Sequence, residues 1–209
     1  MAEGKGSDDA RAFWDERFAA PEYIFGREPN RFLVSQAALL QPGAAVLDVA
    51  TGEGRNAVWL AQRGCRVTGI DISAKAIEKA RRLAAESGVE VRFEVEDVRQ
   101  RSWVADAFDA VVTIFIQFAA PAERRSVFEG MQRTLRPGGV IVLQGYTPKQ
   151  LEYKTGGPPQ ADHMYTEPLL REAFAGWEIL HLAEHEDVLN EGTKHVGRSA
   201  LIDLVARKP

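Results

Sequence analysis

VLDVATGEGRNAVWL, residues 46–60, decides how this chain folds. An apolar run ends at Asp48, Gly52 and Gly54 follow, and an amphipathic run then begins. Strand, glycine turn and helix together bring bare backbone up to a ligand, because glycines remove the side chains that would hold it off. Gly52-Glu53-Gly54-Arg55-Asn56-Ala57 matches the dinucleotide-binding pattern with alanine in third place. Asp71 ends the next apolar run, at the distance where a carboxylate accepts hydrogen bonds from a ribose diol. Ala50 occupies a position where a first glycine is often found, and is expected to be tolerated if its φ stays negative.

Outward from this turn, strands and helices alternate. CRVTGID (65–71) reads as a strand, and Ser73 caps a helix through Ser87 that Gly88 stops. VEVRFEVED (89–97) and FDAVVTIF (108–115) are further strands. Pro121 opens a helix through Leu135, which Arg136-Pro137-Gly138-Gly139 breaks before the strand VIVLQGY (140–146). Upstream, residues 8–18 and 30–40 carry helical spacing. The tail, WEILHLAEHEDVL and RSALIDLVARK, reads as two strands joined as a hairpin through NEGTKHVG. Continuous apolar strands separated by helices predict a doubly wound, mostly parallel α/β sheet, covered on both faces and finished by an antiparallel hairpin. One domain over 1–209 is expected, with 1–40 as a helical cover and the glycine- and proline-rich loop 146–165 as a lid over the substrate.

The composition agrees with one globular domain: 209 residues, 45% hydrophobic, one cysteine. Cys65 excludes an internal disulfide and predicts a reducing, cytoplasmic setting, where it is buried filler. No apolar run approaches the ~20 residues that span a bilayer, so no membrane partner is expected. The first ten residues lack an apolar leader and read as a flexible tail. A net charge of −4 argues against a nucleic-acid partner. No metal-ligand spacing occurs.

The glycine turn alone admits a nicotinamide dinucleotide or S-adenosylmethionine. Asp48 would repel a pyrophosphate but suits an ammonium group. Asp97 ends the third strand where it could accept from an adenine amino group, and no Tyr-x-x-x-Lys pair of a short-chain reductase is present. VLDVATGEG, GIDIS, VEDV and LRPGGVIVL, in this order and spacing, resemble the successive motifs of class I S-adenosylmethionine-dependent methyltransferases. EYIFGREPNRFL, GEGRNAVWLA, TGGP and EGTKHVGR resemble the tellurite-resistance TehB-like group, related to thiopurine methyltransferases. The resemblance implies a seven-stranded sheet and S-adenosylmethionine as cofactor. By the same resemblance Asp48, Gly52 and Gly54 line the methionine end, Asp71 binds the ribose, and Ile72, Asp97 and Val98 frame the adenine. Ile114 begins the wall beside the sulfonium.

Arg55, a cation in a first helical turn, needs an anionic partner: the methionine carboxylate or an acid such as Glu53. Tyr23 and Phe25 are read as a lid over the cofactor and Trp14 as packing. His195, which the family pattern turns toward the substrate, is a candidate general base, and Tyr146 a candidate catalytic wall. His181 and His185 read as surface residues. The methyl acceptor is expected to be small: a thiol, a chalcogen oxyanion such as tellurite or selenite, or a heterocyclic or phenolic metabolite. The chain is expected to be a monomer or homodimer. An NAD-dependent oxidoreductase and a non-catalytic S-adenosylmethionine-binding module are the alternatives.

Overall fold

The computed structural model describes residues 6–209. The expected flexible start falls partly on residues 1–5, outside the described residues; from Ser7 the chain is already helical. Seven strands form one sheet: β1 (Ala45–Val49), β2 (Arg66–Asp71), β3 (Arg92–Val95), β4 (Phe108–Ile114), β5 (Leu135–Tyr146), β6 (Glu178–Glu191) and β7 (His195–Arg207). Their spatial order is β3-β2-β1-β4-β5-β7-β6, and β7 alone runs antiparallel to its neighbours. The doubly wound sheet with its terminal hairpin is the expected architecture. The order reverses between β1 and β4, so the carboxyl ends of these two strands open the crevice where such sheets bind ligands.

The helices are α1 (Ser7–Phe18), α2 (Arg31–Ser35), α3 (Arg55–Gln62), α4 (Ala74–Glu86), α5 (Pro121–Thr134), α6 (Gln150–Tyr153) and α7 (Glu167–Ala173). Ser73 caps α4 as expected, its hydroxyl accepting from Ala76 N. The strands β1 and β4 are buried on both faces, one face in a cluster with Leu60, Ile77 and Phe93, the other with Phe128, Met131 and Leu204. That double burial explains their uninterrupted apolar character.

Several boundaries differ from the sequence reading. The helix expected over 30–40 is one turn of α2 followed by a 3₁₀ turn at Ala37–Leu39. Asn30 ends it on the amino side by accepting from Leu33 N. Arg136–Gly139 does not separate helix from strand: β5 begins at Leu135, opposite Phe108, and the pairing shifts register before Val140. The strand β3 is shorter than VEVRFEVED, four residues only. Among the described residues no helix is long and apolar enough to cross a membrane.

Candidate active site

A cavity of about 710 Å³ opens at the carboxyl ends of β1 and β4, within the size range of ligand sites. Gly52 reaches it because its backbone turns at φ +56° and a Cβ there would meet only Phe18, 3.8 Å away. Asp71 lies on the cavity wall. Its carboxylate accepts from Gly52 N and from Ser73 N, both at 2.9 Å, which ties the glycine turn to the next strand. Burial pushes its pKa up to about 6, against those two bonds. Ile72, Val98 and Ile114 line the wall beside it, and Asp97 closes that end. Burial alone would raise Asp97, but bonds from Arg99 and Ser7 hold it below the usual carboxylate range.

Two residues expected at the ligand lie behind the wall. Asp48 is 2% exposed, does not line the cavity, and accepts from the Thr51 hydroxyl. Desolvation pushes it to about 7. Gly54 is also behind the wall: a Cβ there would sit 2.7 Å from Ala80 Cβ. Its bareness serves close packing of α3 on α4, and its φ of +87° starts α3.

The expectation for Ala50 fails. Its φ is +51°, in the left-handed region that costs a non-glycine residue roughly 1–2 kcal/mol. Phe115, the residue after β4, is another non-glycine residue there, at φ +59°. Both line the cavity, where strained backbone tends to collect.

Arg55 lines the cavity, and of the partners expected for it Glu53 is not the one it takes within the protein. Its guanidinium bonds Glu191 of β6 at 2.8 Å and the carbonyl of Phe25 at 3.1 Å. Glu53 instead forms a buried pair with Lys79 at 2.7 Å and accepts from Phe25 N. Phe25 is thus held at both its main-chain polar groups by charged side chains. It lines the cavity with Trp14, which was expected only to pack, and with Phe13 and Phe18 of α1. Tyr23 does not line the cavity: its hydroxyl donates to Lys79 O and its ring lies under the Arg27 guanidinium.

The hairpin closes the opposite end. His195 is nine-tenths buried and touches three rings: Phe25 at 4.5 Å, Phe115 at 4.6 Å and Tyr146 at 5.9 Å between centroids. Phe115 stacks on Tyr146 at 4.7 Å. Burial lowers the His195 pKa and raises that of Tyr146. The Tyr146 hydroxyl and His195 Nδ1 are buried without a hydrogen-bond partner. His185 is partly exposed and bonds the buried Asp203 at 2.8 Å, and His181 is exposed. Cys65 is buried, as expected.

The loop 146–165 reaches the cavity through part of its length. Gly157, Pro158, Pro159, Gln160, Asp162 and His163 rim the cavity. Met164 and Tyr165 are core residues, and Leu151 and Tyr153 do not line the cavity. Gln117 is buried at the cavity wall and bonds Tyr146. Glu191 opens the segment EGTKHVGR, but its pairing with Arg55, like the cavity positions of Gln117 and Phe115, has no local sequence signal.

Residues 46–139 match the family model described as a methyltransferase domain. The chain is 30% identical over 220 residues to a thiopurine S-methyltransferase of Pseudomonas putida, covering 94% of this chain and 97% of that one. It is 33% identical over 121 residues to an uncharacterized methyltransferase of Synechocystis, of whose length it spans 55%. TehB from Haemophilus influenzae has a similar fold, at TM-score 0.70 and 18% identity, over 96% of this chain and 68% of that one. The reversal point between β1 and β4, the Gly52–Asp71 wall and the near full-length relative agree: the chain belongs to the class I S-adenosylmethionine-dependent methyltransferases.

Proposed function

We propose that the protein methylates the sulfur of a small, flat aromatic or heterocyclic thiol, with His195 accepting the thiol proton and Tyr146 walling the acceptor. The observation that carries this reading is the ring cluster of Phe25, Phe115, Tyr146 and His195 around one end of the cavity. Flat apolar walls with the unpartnered Tyr146 hydroxyl and the His195 ring among them suit a flat ring that carries one ionisable group. The relative named for thiopurine S-methylation supports sulfur as the atom methylated.

The residues present fit S-adenosylmethionine. Gly52 leaves open space where a side chain would stand, and the Asp71 carboxylate, raised by desolvation, gains from the two hydroxyl donors of a ribose. Ile72, Val98 and Ile114 offer apolar surface to a base, and Asp97 an acceptor to its amino group. When bound, the cofactor supplies an electrophilic methyl group on its sulfonium.

The chain supplies position, dryness and a proton acceptor. Phe25 and Phe115 hold the acceptor ring, and Pro158 and Pro159 cover it from the loop, so the acceptor sulfur meets the methyl group in a water-poor site. His195 is neutral near pH 7, because burial lowers its pKa, and can take the S–H proton. The S–H bond of the thiol breaks and its proton goes to His195; the freed sulfur electron pair would form the new S–C bond as the methyl–sulfonium bond breaks, its electron pair staying on the departing S-adenosylhomocysteine.

A panel of acceptors read by release of S-adenosylhomocysteine tests this. Thiophenol and heterocyclic thiols are expected to turn over, with His195→Ala reducing kcat/KM by about 10²-fold or more. Turnover of phenols or tellurite with none of the aromatic thiols would overturn the reading.

A further inference from the structure

We propose that Glu191 is a positioning residue for His195: it holds the proton on Nδ1, so that Nε2 presents its lone pair to the acceptor. This rests on the reading of His195 as proton acceptor. Glu191 and His195 face each other as the last pair of the β6–β7 ladder, and Nδ1 lies 3.5 Å from the Glu191 carboxylate. Nδ1 is fully buried with no hydrogen bond formed, and the ring itself lines the cavity. A separation of this length before substrate binds is usual for pairs that tighten in the working complex.

The carboxylate is fixed independently of His195. One oxygen takes the Arg55 guanidinium at 2.8 Å, and the other accepts from Asn30 Nδ2 at 3.2 Å. Asn30 Nδ2 also donates to Gln144, whose amide donates to Asp203, and Asp203 meets His185. A connected row of buried polar groups therefore anchors Glu191 across β5, β6 and β7. The turn between the pair is equally constrained. Thr193 N and Lys194 N both donate to Ile24 O, at 2.9 and 3.1 Å. A Cβ on Gly192 would stand 2.4 Å from Gly26 N and from Ile24 O, so no other residue fits that turn.

Chemistry then fixes the tautomer. Burial would raise Glu191, but the neighbouring His195 and the bonded Arg55 bring it down to about 2, so it is a carboxylate and can only accept. A neutral imidazole facing it therefore carries its proton on Nδ1. The charged groups around His195 are Glu191 from β6, Arg55 from α3 and Arg17 from α1. Tyr146 of β5 faces it as a neutral ring, and Asp162 and His163 line the same cavity from the loop. Glu191 also stabilises the imidazolium that forms when Nε2 takes the proton, while burial, with the Arg55 charge beside it, keeps the ring from being cationic at rest.

Nitrogen-15 NMR of the full-length protein, with and without S-adenosylhomocysteine, reads the tautomer and pKa of His195 directly. The proton is expected on Nδ1. In Glu191→Gln the His195 pKa is expected to fall by about one pH unit, and the acid limb of kcat/KM to move with it. Glu191→Asp, which keeps the charge, should restore most of that shift. A wild-type proton on Nε2, or a His195 pKa that Glu191→Gln leaves in place, overturns the positioning role. Full turnover by His195→Ala would instead overturn the proton-acceptor reading itself, whatever the tautomer.

Discussion

Gln117 clasps the main chain of Tyr146 from both sides, its carbonyl accepting from Tyr146 N at 2.5 Å and its amide donating to Tyr146 O at 2.7 Å. The fit is close enough that the neighbouring Gly145 must be bare, since a Cβ there would lie 2.9 Å from the Gln117 amide carbon and 2.8 Å from the Tyr165 ring. Gln117→Ala should therefore cost about 1–3 kcal/mol of stability, the range for leaving buried polar groups without partners. It should also raise KM for the acceptor, because Tyr146 and the stacked Phe115 lose their reference. Thermal melting and steady-state kinetics check both. A variant as stable and as active as wild type would show the clasp to be idle.

Asp71 is the residue on which cofactor affinity is expected to turn. Asp71→Asn keeps the shape but loses charge-assisted bonds of about 1.5–3 kcal/mol each, so the dissociation constant for S-adenosylhomocysteine should rise tenfold or more. Because the free carboxyl titrates at about 6, wild-type affinity should weaken as pH falls through that value, and the variant should not show this. Titration calorimetry between pH 5 and 8, flat for both proteins, would return Asp71 to a purely structural part (roughly the range its pKa brackets).

Asp48 predicts an opposite trend for the ligand-free fold. Its folded pKa of about 7 lies above the 3.8 of an unburied aspartate, so the folded state binds the proton more tightly than the unfolded one. The stabilisation from that proton is complete below the unfolded pKa and is lost as pH rises through the folded pKa. Asp48→Asn, which cannot ionise, should therefore gain on wild type progressively between about pH 4 and 7. Melting temperatures of the two proteins across that window give the comparison; a constant difference would mean that Asp48 is not desolvated as its burial implies.

The two glycines of the turn should separate binding from folding. Gly52→Ala places a methyl group in the cavity with nothing nearer than Phe18, so its main effect beyond backbone strain should be on cofactor affinity. Gly54→Ala drives a methyl into Ala80 and should cost about 3 kcal/mol or more, from overpacking plus a left-handed alanine. Melting combined with cofactor titration distinguishes them, and equal loss of stability in both would contradict the assignment.

Ala50→Gly should stabilise the protein, by up to about 1 kcal/mol. Relief of the left-handed strain is worth roughly 1–2 kcal/mol, and the added freedom of the unfolded chain takes back about 0.5–1. A lower melting temperature would mean that the Ala50 methyl contributes packing worth more than its strain.

The strand–turn–helix of residues 46–60 and the apolar runs of β4 and β5 determined the parallel sheet, because double burial imposes a continuous apolar pattern that local sequence displays. The carboxylate of Asp71 was legible for the same reason: it stands at a set distance along the chain from the glycine turn it serves. Only the tertiary structure decided the rest. Arg55 meets Glu191 across 136 residues of chain, and His195, Phe25, Phe115 and Tyr146 come from a hairpin, a cover segment and two strand ends. Nor does sequence tell whether a glycine is bare for a ligand, as Gly52 is, or for a neighbouring helix, as Gly54 is. Periodicity reports which face of an element is buried; it does not report which distant side chain completes that burial, and charge pairs and ring contacts depend on positions to within a few ångströms.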